Sequence, residues 1–398
     1  MPRSSTRLSV IFLTVFIDLA GFGLIIPVLP YYAEQFGASA LGFGALIGVF
    51  SLSQFVATVV LGGLSDRIGR RPVLLASIAI AAVGYLLFGL ASGYAWLIAA
   101  RAIAGFAGGN ISVAQAYIAD VTSPSERSRG MGLIGAAFGL GFIVGPALGA
   151  VAAHYGGFRA VGFVAAALCV INLASAFFVL EESLRHEHRA TRPLVDTTHL
   201  RRGLGDLRFR HAFAVFGLIP FAFSGYIVAV PLFTEREFGW GAAQLGVFFT
   251  VVGVIAASVQ GYFFGKIQRR TGDRPLIAWG TLGMAVGIAG IPLASRSWEI
   301  FPYMIVLAFG NSIAAPALTG LISTLAGPAE QGAMMGAAQA LTAIGRFSGP
   351  LVFGLLYDTV GPVATFSAAA GVMVLAWLVS RRIRPAEPDA VLTPPPAP

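Results

Sequence analysis

The stretch Gly62–Arg71 reads GGLSDRIGRR and lies between two long apolar runs. It carries one carboxylate, Asp66, and three arginines, and Gly69 permits a tight turn. A short charged turn between apolar segments indicates a loop at a membrane surface. We predict that Asp66 caps the N-terminus of a neighbouring helix and that the arginines pair with carboxylates on adjoining loops. A topological anchor with no further role is the simpler alternative.

Long apolar runs make up most of the remaining chain. Of its 398 residues, 57% are hydrophobic and 11% are charged, whereas about a quarter are charged in soluble domains. Runs such as 73–100 and 161–180 are long enough to cross a bilayer as helices. They lack the alternation of apolar and polar residues that a spanning strand needs. The sequence therefore predicts an all-α membrane protein with twelve transmembrane helices.

The basic residues predict the topology. A net charge of +8 suggests a nucleic-acid partner, but the arginines form short clusters in alternate loops between apolar runs. The intervening loops keep only Arg159, Arg236 and Arg296. Basic loops stay cytoplasmic, so we predict an inner-membrane protein with both termini in the cytoplasm and an even number of helices. The lipid bilayer, and not nucleic acid, is the predicted surrounding partner.

A repeated glycine ladder divides the chain. Its G-x8-G-x3-G-P spacing runs from Gly132 to Pro146 and recurs from Gly336 to Pro350. A looser match pairs residues 62–71 with 261–270, which puts Gly265 at the position of Asp66. We predict two pseudo-symmetric six-helix bundles, at 1–180 and 212–384, as in transporters built from repeats. A cytoplasmic linker at 181–211 would join them, and a disordered tail would follow at 385–398.

The ladder residues favour close helix packing. Glycines four apart let helix backbones approach, and a proline bends its helix by removing a backbone donor. Such packing either blocks a proton leak between the halves or is purely structural. The residues predicted to pack helices in this way are Gly141, Gly145, Pro146, Gly149, Gly345, Gly349 and Pro350.

Taken in order along the chain, these motifs resemble the major facilitator superfamily. The 62–71 loop is similar to its cytoplasmic loop signature, Arg101-x3-Gly105 to its membrane-arginine motif, and residues 132–149 to its antiporter motif. The D-x2-G-x-G-x3-P-x2-P pattern of residues 18–30 resembles the twelve-helix drug:proton antiporter branch, and within it the tetracycline-efflux type. The resemblance implies the major facilitator fold and proton-coupled efflux of a small amphipathic molecule by alternating access.

The chain departs from that pattern in its second half. The best-known class of tetracycline exporters uses a histidine in the eighth helix and an aspartate in the ninth. We expect the eighth helix at about 241–265, without a histidine, and the ninth at about 275–295, without a carboxylate. The resemblance therefore implies the exporter class and leaves tetracycline itself out of the prediction.

Three ionisable residues, Asp18, Arg101 and Arg346, lie well inside apolar runs. Burial of such groups in a membrane costs several kcal/mol, so each is a functional candidate. We predict that Asp18 carries the proton and that a change in its separation from Arg101 couples protonation to access. A structural Asp18–Arg101 pair is the alternative. Should Asp18 not carry the proton, Glu34 or Asp120 would be the next candidates.

Helical periodicity extends the candidate site. It places Gly105, Ser112 and Gln115 on the face of Arg101, and Asn110 on the opposite face, so the small residues leave room for substrate or for a partner helix. Arg346 either holds an anionic group or pairs with backbone carbonyls. The predicted substrate-binding residues are Asp18, Phe22, Gln54, Arg101, Ser112, Gln115, Phe138, Phe142, Phe223, Tyr226, Asn311, Gln339 and Arg346. The predicted conformational switch comprises Asp66, Arg67, Gly69, Arg70, Arg71, Asp120 and Arg127.

Other functions compete with export. An uptake symporter or uniporter of the same fold differs in the direction of transport. A polytopic membrane enzyme would need a catalytic constellation, yet the five histidines are expected in loops without metal-ligand companions. The chain has no G-x4-G-K-[ST] motif for direct use of ATP. We therefore predict a monomeric transporter, not an enzyme, that takes a small molecule and protons and needs no metal or other cofactor.

Overall fold

A computed structural model describes residues 2–122, 127–184, 206, 209–326 and 331–383. Its first seven helices are α1 (Pro2–Ile25), α2 (Leu29–Glu34), α3 (Ala40–Ile68), α4 (Arg70–Gly89), α5 (Tyr94–Ala107), α6 (Asn110–Val121) and α7 (Arg127–Val179). The next seven are α8 (Arg210–Phe238), α9 (Ala242–Ser258), α10 (Phe264–Thr271), α11 (Asp273–Gly290), α12 (Ile300–Leu325), α13 (Gln331–Thr359) and α14 (Pro362–Ser380). The predicted tail, most of the predicted linker and the Arg127 side chain lie outside the described residues.

The helices in this part of the chain are long and apolar enough to cross a membrane in ten places, and Ser9–Ile25 forms a shorter apolar helix. One of the ten, Gly132–Val179, has 48 residues, about 72 Å of helix against a hydrocarbon core of about 30 Å. It bends at Gly157, whose φ of 70° is not helical. An all-α membrane protein is therefore confirmed. The total reaches twelve if both limbs of α7 and Ser9–Ile25 cross, and that count stays a prediction.

Glycines with positive φ mark a repeat in the backbone. They form three pairs, Gly37 with Gly239, Gly69 with Gly272, and Gly157 with Gly361, whose members are 202, 203 and 204 residues apart. In each pair both glycines occupy corresponding turns, at which a residue with a Cβ would be strained. We call described residues 2–184 the N-terminal half and described residues 206–383 the C-terminal half. The repeat supports two six-helix bundles, which we retain as a proposal.

A π-helix at Val259–Phe263 explains a register error in the sequence comparison. A π-turn accommodates one extra residue, and the repeat distance grows by one between the turns on either side of this segment. In the register set by the turn glycines, Asp66 corresponds to Arg269 and Arg70 to Asp273. The predicted match of Gly265 to Asp66 is therefore wrong by about one helical turn.

The glycine ladders pack helices inside each half. In the N-terminal half α7 lies against α1, and a Cβ on Gly145 would stand 2.7 Å from the Ala20 carbonyl oxygen. In the C-terminal half α13 lies against α8, and a Cβ on Gly349 would stand 2.7 Å from the Phe221 carbonyl oxygen. Gly141, Gly149 and Gly345 make the same kind of approach. Of the two predicted roles, this geometry favours structural packing.

The helix ends define two faces of the protein. The arginine-rich face carries the loops near Arg70, Arg270 and Arg381, and the arginine-poor face carries the turns at Gly37 and Gly361. The halves meet along two antiparallel helix pairs, which we call the first seam (α3 with α13) and the second seam (α7 with α9).

The first seam begins at the arginine-poor face with a carboxylate. Asp358, near the end of α13, accepts hydrogen bonds from the backbone N–H groups of Ala40 (3.0 Å) and Leu41 (2.9 Å), which begin α3. One turn deeper, Gly44 lies directly against the Pro350 carbonyl oxygen. In the second seam Gly246 of α9 lies against the Pro146 carbonyl oxygen of α7, so the halves are closed together at the arginine-poor face.

Candidate functional site

Asp18 of α1 binds Asn110 of α6 in the interior of the N-terminal half. The Asn110 side-chain amide donates a hydrogen bond to Asp18 Oδ2. Asp18 Oδ1 is buried and has no hydrogen-bond partner, and the same is true of Asn110 Oδ1. One oxygen of the carboxyl group is thus stabilised by a donor, while the other remains available for a proton or a water molecule.

A break in the helix places Asn110 beside Asp18. Gly108 and Gly109 separate α5 from α6, and a Cβ on Gly109 would meet Ala57 of α3 at 2.6 Å. Gly105 and Ser112 contact α3, as Arg101 does, whereas Asn110 contacts α1, so Asn110 lies on a different face from Arg101 as the periodicity predicts. The same approach to α3 shows that the small residues of this segment accommodate a partner helix.

Arg101 is covered by aromatic rings. Its side chain is 3% exposed, and its guanidinium carbon lies 4.1 Å from the ring centre of Phe50 and 5.7 Å from that of Phe22. Its Nε and Nη1 have no hydrogen-bond partner, and no ion pair within 4.0 Å joins it to Asp18. Arg101 therefore enters the site as a cation beneath two aromatic faces, a favourable arrangement in a desolvated setting.

Further polar groups surround Asp18. Tyr85 is buried and interacts electrostatically with both Asp18 and Arg101. The Thr14 hydroxyl donates to Asn172 Oδ1 at 3.3 Å, and Asn172 Nδ2 is buried without a partner. Thr14 is one helical turn from Asp18 and therefore shares its face of α1. Buried polar atoms without protein partners are typical of sites that hold water.

The other predicted residues divide between the site and its surroundings. Phe142 packs edge-on against Phe22, with ring centres 6.1 Å apart, and so borders the Arg101 cluster. Ser112 donates to the Gly109 and Thr58 carbonyls and belongs to the helix contact with α3. Phe138, Gln115 and Gln339 are exposed, and Asn311 is half-buried.

In the C-terminal half, Phe223 and Tyr226 stack on each other with ring centres 5.2 Å apart. Tyr226 is fully buried, and its hydroxyl has no partner. Arg346 reaches across the first seam, where its Nη2 donates to Gln54 Oε1 at 2.7 Å. The predicted residues thus form an Asp18–Arg101–Phe142 group and a separate Gln54–Arg346 contact.

Arg70 is the centre of the polar contacts made by the 62–71 loop. Its guanidinium group pairs with Asp66 (2.6 Å) and with Asp120 (3.3 Å), and it donates to the Ser65 hydroxyl at 2.6 Å. Ser183, at the start of the linker, donates to the same Asp120 oxygen. The expected pairing of loop arginines with neighbouring carboxylates is found at this residue.

Glu182 caps the helix that follows this loop. Its carboxylate accepts from the backbone N–H of Arg70 (2.8 Å) and of Arg71 (3.2 Å), the first residues of α4. Gly69, with a φ of 110°, leaves room for it, because a Cβ there would collide with the Glu182 carboxylate. In this conformation the predicted capping role of Asp66 belongs to Glu182, while Asp66 pairs with Arg70. An anionic group at a helix N-terminus is favourable there.

Two smaller expectations also change. His154 lies in α7 and His211 in the first turn of α8, so these two histidines are not in loops. The ninth spanning helix begins at Asp273, two residues before the predicted start, and therefore does include a carboxylate. The described residues contain no group of three or more potential metal ligands.

Sequence reasoning missed several members of the site. Phe50 and Tyr85 read as ordinary aromatic core residues, and nothing in their local sequence singles them out. The adjacent glycines at 108 and 109 were a usable signal for Asn110, because such pairs interrupt helices. Glu182 is 112 residues from Arg70, and no local pattern connects them.

Comparisons with known proteins agree with this architecture. The sequence matches the profile of the Major Facilitator Superfamily over residues 11–297 and 261–398. It is 34% identical to the class C tetracycline resistance protein of Escherichia coli, over 95% of this chain and 94% of that protein. It is 29% identical to multidrug resistance protein 2 of Bacillus subtilis (strain 168), over 90% and 91% of the two chains.

Solved structures give the same result. The human organic anion transporter MFSD10 (TETRAN) is similar, with a TM-score of 0.72 and 27% identity, over 96% of this chain and 100% of that one. A bacterial homolog of the human lysosomal transporter Spinster, in an inward-facing and unoccupied conformation, has a TM-score of 0.80 at 16% identity, over 96% and 98% of the chains. The second likeness concerns the fold alone.

Proposed function

Since the chain belongs to the major facilitator superfamily, we propose that it exports a small amphipathic molecule in exchange for protons. It is an integral membrane transporter and not an enzyme. Proton coupling and the class of substrate are the parts that we propose, and residues of the candidate site support both.

The main support for proton coupling is the Asp18–Asn110 pair. Asn110 stabilises the ionised carboxylate through one oxygen. The second oxygen is buried without a donor, a costly arrangement for a full charge that a proton would relieve. One oxygen thus favours the ionised carboxylate and the other favours the protonated form. A modest movement of α1 relative to α6 would therefore shift the balance between the two protonation states. That shift is what coupling proton binding to alternating access requires.

Aromatic surfaces and one exposed cation support an amphipathic substrate. Phe22 and Phe142 form an aromatic cluster next to the Asp18 site, and Phe138 is exposed one turn along α7. Arg346 is exposed at the inner end of the first seam and offers a positive charge to substrates with an anionic group. Relatives are named for tetracycline resistance, multidrug resistance and organic anion transport, and these names support a small organic molecule as the substrate.

Orientation in the membrane follows from the arginines. We propose that the arginine-rich face is cytoplasmic, that both termini lie there, and that the protein works as a monomer in the inner membrane. Tags at both termini and within 185–205 should then all report the cytoplasm. A periplasmic report from any of the three would contradict the proposed topology.

One experiment tests the exchange directly. A drug-susceptibility panel in an efflux-deficient host first identifies a transported compound. Purified protein should then release protons when that compound is added, and Asp18→Asn should release none, because an amide cannot give up a proton. Everted vesicles with an imposed pH gradient should accumulate the compound with wild type only.

Asp273→Asn is the matched control, since it removes a carboxylate remote from the Asp18–Asn110 pair. Undiminished proton release and pH-driven export in Asp18→Asn would overturn the assignment of Asp18. Transport by wild type in the opposite direction would favour the uptake symporter instead.

A further inference from the structure

A cavity of about 480 Å³ opens at the arginine-rich face, between the start of α11 and the end of α14. Asp273 and Arg274, the first residues of α11, line one side of it. Ser380 and Arg381, at the end of α14, line the other. Small-molecule sites occupy about 300–1,000 Å³, so the cavity can hold a ligand-sized group. Its helices belong to neither seam.

Two arginines dominate the chemistry of this cavity. Arg274 Nε is buried without a hydrogen-bond partner, and Arg274 forms no ion pair with a carboxylate in the part of the chain that the structure describes. The Arg381 guanidinium carbon lies 5.2 Å from the centre of the Trp377 ring. The planar N–H groups of arginine match the oxygens of a phosphate or carboxylate. The two side chains therefore suit an anionic ligand.

Asp273 is the acidic residue that lines the cavity, and its carboxylate has other partners. Its Oδ1 accepts a hydrogen bond from Gln268 Nε2 at 2.7 Å. Its two oxygens lie 3.6 Å and 3.7 Å from the position that a Cβ on Gly320 would take, so the group lies against α12. Two cations thus meet one carboxylate that is engaged with another helix, and the cavity keeps a positive balance.

The N-terminal half shows what the corresponding position holds. In the register of the turn glycines α4 corresponds to α11, and the Glu182 carboxylate caps the start of α4. No described side chain caps the start of α11. The counterpart of Glu182, 204 residues later, is Ala386, which lies outside the described residues and has no carboxylate. One half thus supplies its own anionic group at a position where the other has an open cavity with two arginines.

Exposed apolar side chains continue from the cavity along both helices. They include Trp279, Leu282 and Val286 on α11, and Val374 and Leu378 on α14. Both helices are long and apolar enough to span a membrane, so these side chains face acyl chains. Tryptophan near the end of a spanning helix is typical of the lipid headgroup level. The cavity therefore lies where headgroups lie, above a surface for acyl chains.

We propose that this cavity binds the phosphate of an anionic phospholipid, with Arg274 and Arg381 on the phosphate oxygens and the acyl chains along α11 and α14. Basic pockets between spanning helices recognise headgroups of this kind. A soluble anion would leave the adjoining apolar surface unused, which favours a lipid. The site involves neither Asp18 nor a transported compound, so it goes beyond the proposed exchange function.

Native mass spectrometry of the full-length protein in detergent would measure the binding. The probes are phosphatidylglycerol, which carries a net negative charge, and phosphatidylethanolamine with the same acyl chains, which carries none. Wild type should bind phosphatidylglycerol about fivefold or more tightly than phosphatidylethanolamine, since each arginine near a headgroup contributes a factor of about five. Millimolar inorganic phosphate should not displace the lipid. Complete displacement would show a site for soluble anions and overturn the proposal.

Glutamine variants locate the site. Arg274→Gln and Arg381→Gln should each weaken the binding of phosphatidylglycerol about fivefold, and together roughly 25-fold. Arg382→Gln is the matched control, because it removes the same charge from a neighbouring residue that does not line the cavity. It should keep the affinity of wild type. The double variant Arg274→Lys and Arg381→Lys retains both charges and should retain the preference for the anionic lipid.

Several outcomes would overturn the proposal. Equal affinity of wild type for the two lipids would do so, and so would an equal loss in Arg382→Gln and in the cavity variants. Loss of the preference in the double lysine variant would show that the site does not recognise charge. Glu387, next to Ala386 in the sequence, offers a competing carboxylate. Glu387→Gln should leave the affinity unchanged, and a gain as large as the loss in Arg274→Gln would mean that the tail fills the cavity.

Discussion

In the first seam Gly44 of α3 meets the Pro350 carbonyl of α13, and in the second seam Gly246 of α9 meets the Pro146 carbonyl of α7. Gly44 and Gly246 are 202 residues apart, and Pro146 and Pro350 are 204 apart. The same distances separate the turn glycines Gly37 and Gly239 (202) and Gly157 and Gly361 (204). The two seams thus repeat one backbone arrangement, in which a glycine on one helix lies against the carbonyl of a proline on the other.

The side chains of the seams differ. Asp358 binds the start of α3 in the first seam, and its counterpart in the second seam, 204 residues earlier, is His154. The Gln54–Arg346 hydrogen bond has Ala256 and Phe142 at the corresponding positions. Polar contacts define one relative position of two helices, whereas apolar contacts tolerate sliding. The comparison indicates that the first seam fixes the closed position and that the second seam follows it.

The largest expected effect comes from Gly44→Ala. The added methyl group collides with a backbone oxygen, which cannot move aside as a side-chain end can. Overpacking of this kind costs about 1–3 kcal/mol, so transport should fall about tenfold or more. Spin labels at Tyr155→Cys and Val360→Cys, on the arginine-poor ends of the two halves, should move apart. Vesicle transport and label distances together measure both effects.

Gly246→Ala sharpens the comparison. Its methyl group would first meet the Ala150 side chain at 2.6 Å and the Pro146 oxygen at 2.9 Å, a milder conflict. Its loss of transport should therefore be smaller. Gly371→Ala in α14 has open space around it and serves as the neutral control. Equal loss of transport in the two seam variants would show that neither seam dominates.

Asp358→Asn should have the next largest effect. The asparagine keeps one acceptor for the α3 N-terminus and loses the charge, at a cost of about 1–2 kcal/mol in the closed form. The ratio of closed to open protein, measured by label distance, should fall roughly 5- to 30-fold. His154→Ala at the corresponding position should leave the ratio unchanged, and a similar fall there would contradict the asymmetry.

Arg346→Gln should reduce the same ratio more modestly. A hydrogen bond of this kind contributes about 0.5–1.5 kcal/mol, which corresponds to a two- to tenfold change. Gln54→Leu should lower the ratio at least as far, because it also removes the hydrogen bond from Gln54 Nε2 to the Gly108 carbonyl. The double variant should not exceed the larger single effect, because both changes break the same contact between the halves. Additive effects would show that Arg346 acts through another partner.

The smallest effect is expected from Thr250→Val in the second seam. The Thr250 hydroxyl lies 3.4 Å from the Ile143 carbonyl and already donates to Gly246 of its own helix at 2.8 Å. Its loss should change the closed-to-open ratio by less than about twofold, in keeping with a weak bond. A larger change would mean that the second seam also has a fixed polar contact.

Much of the fold could be predicted from periodicity and composition, because long apolar runs can cross the lipid bilayer only as helices with satisfied backbone hydrogen bonds. The 62–71 loop and the glycine ladders also pointed to real features, because their chemistry is local. The helices against which the ladders pack could not be predicted. Gly145 packs on α1 and Gly349 on α8, and a sequence pattern does not say which helix a small residue will face.

The candidate site could be predicted only in part from the sequence. Asp18 and Arg101 stood out because charges in apolar helices are rare. Their actual partners, Asn110 for one and the ring of Phe50 for the other, depend on a helix break and on tertiary packing. The cap of α4 shows the same limit, since Asp66 and Glu182 are both acidic and the folded loop alone determines which one reaches the backbone.

The depth of the first seam has a mechanical consequence. Its contacts extend inward as far as Gln54, whereas α3 continues to Ile68 at the arginine-rich face. Those fourteen residues form a lever arm of about 21 Å at 1.5 Å per residue. If the halves pivot at the inner end of the seam, a rotation of about 15° sweeps the end of α3 through roughly 5 Å, more than a van der Waals contact distance. Small angular freedom at the glycine contacts is therefore amplified at the far face, and the stiffness of the seam sets how wide the passage opens.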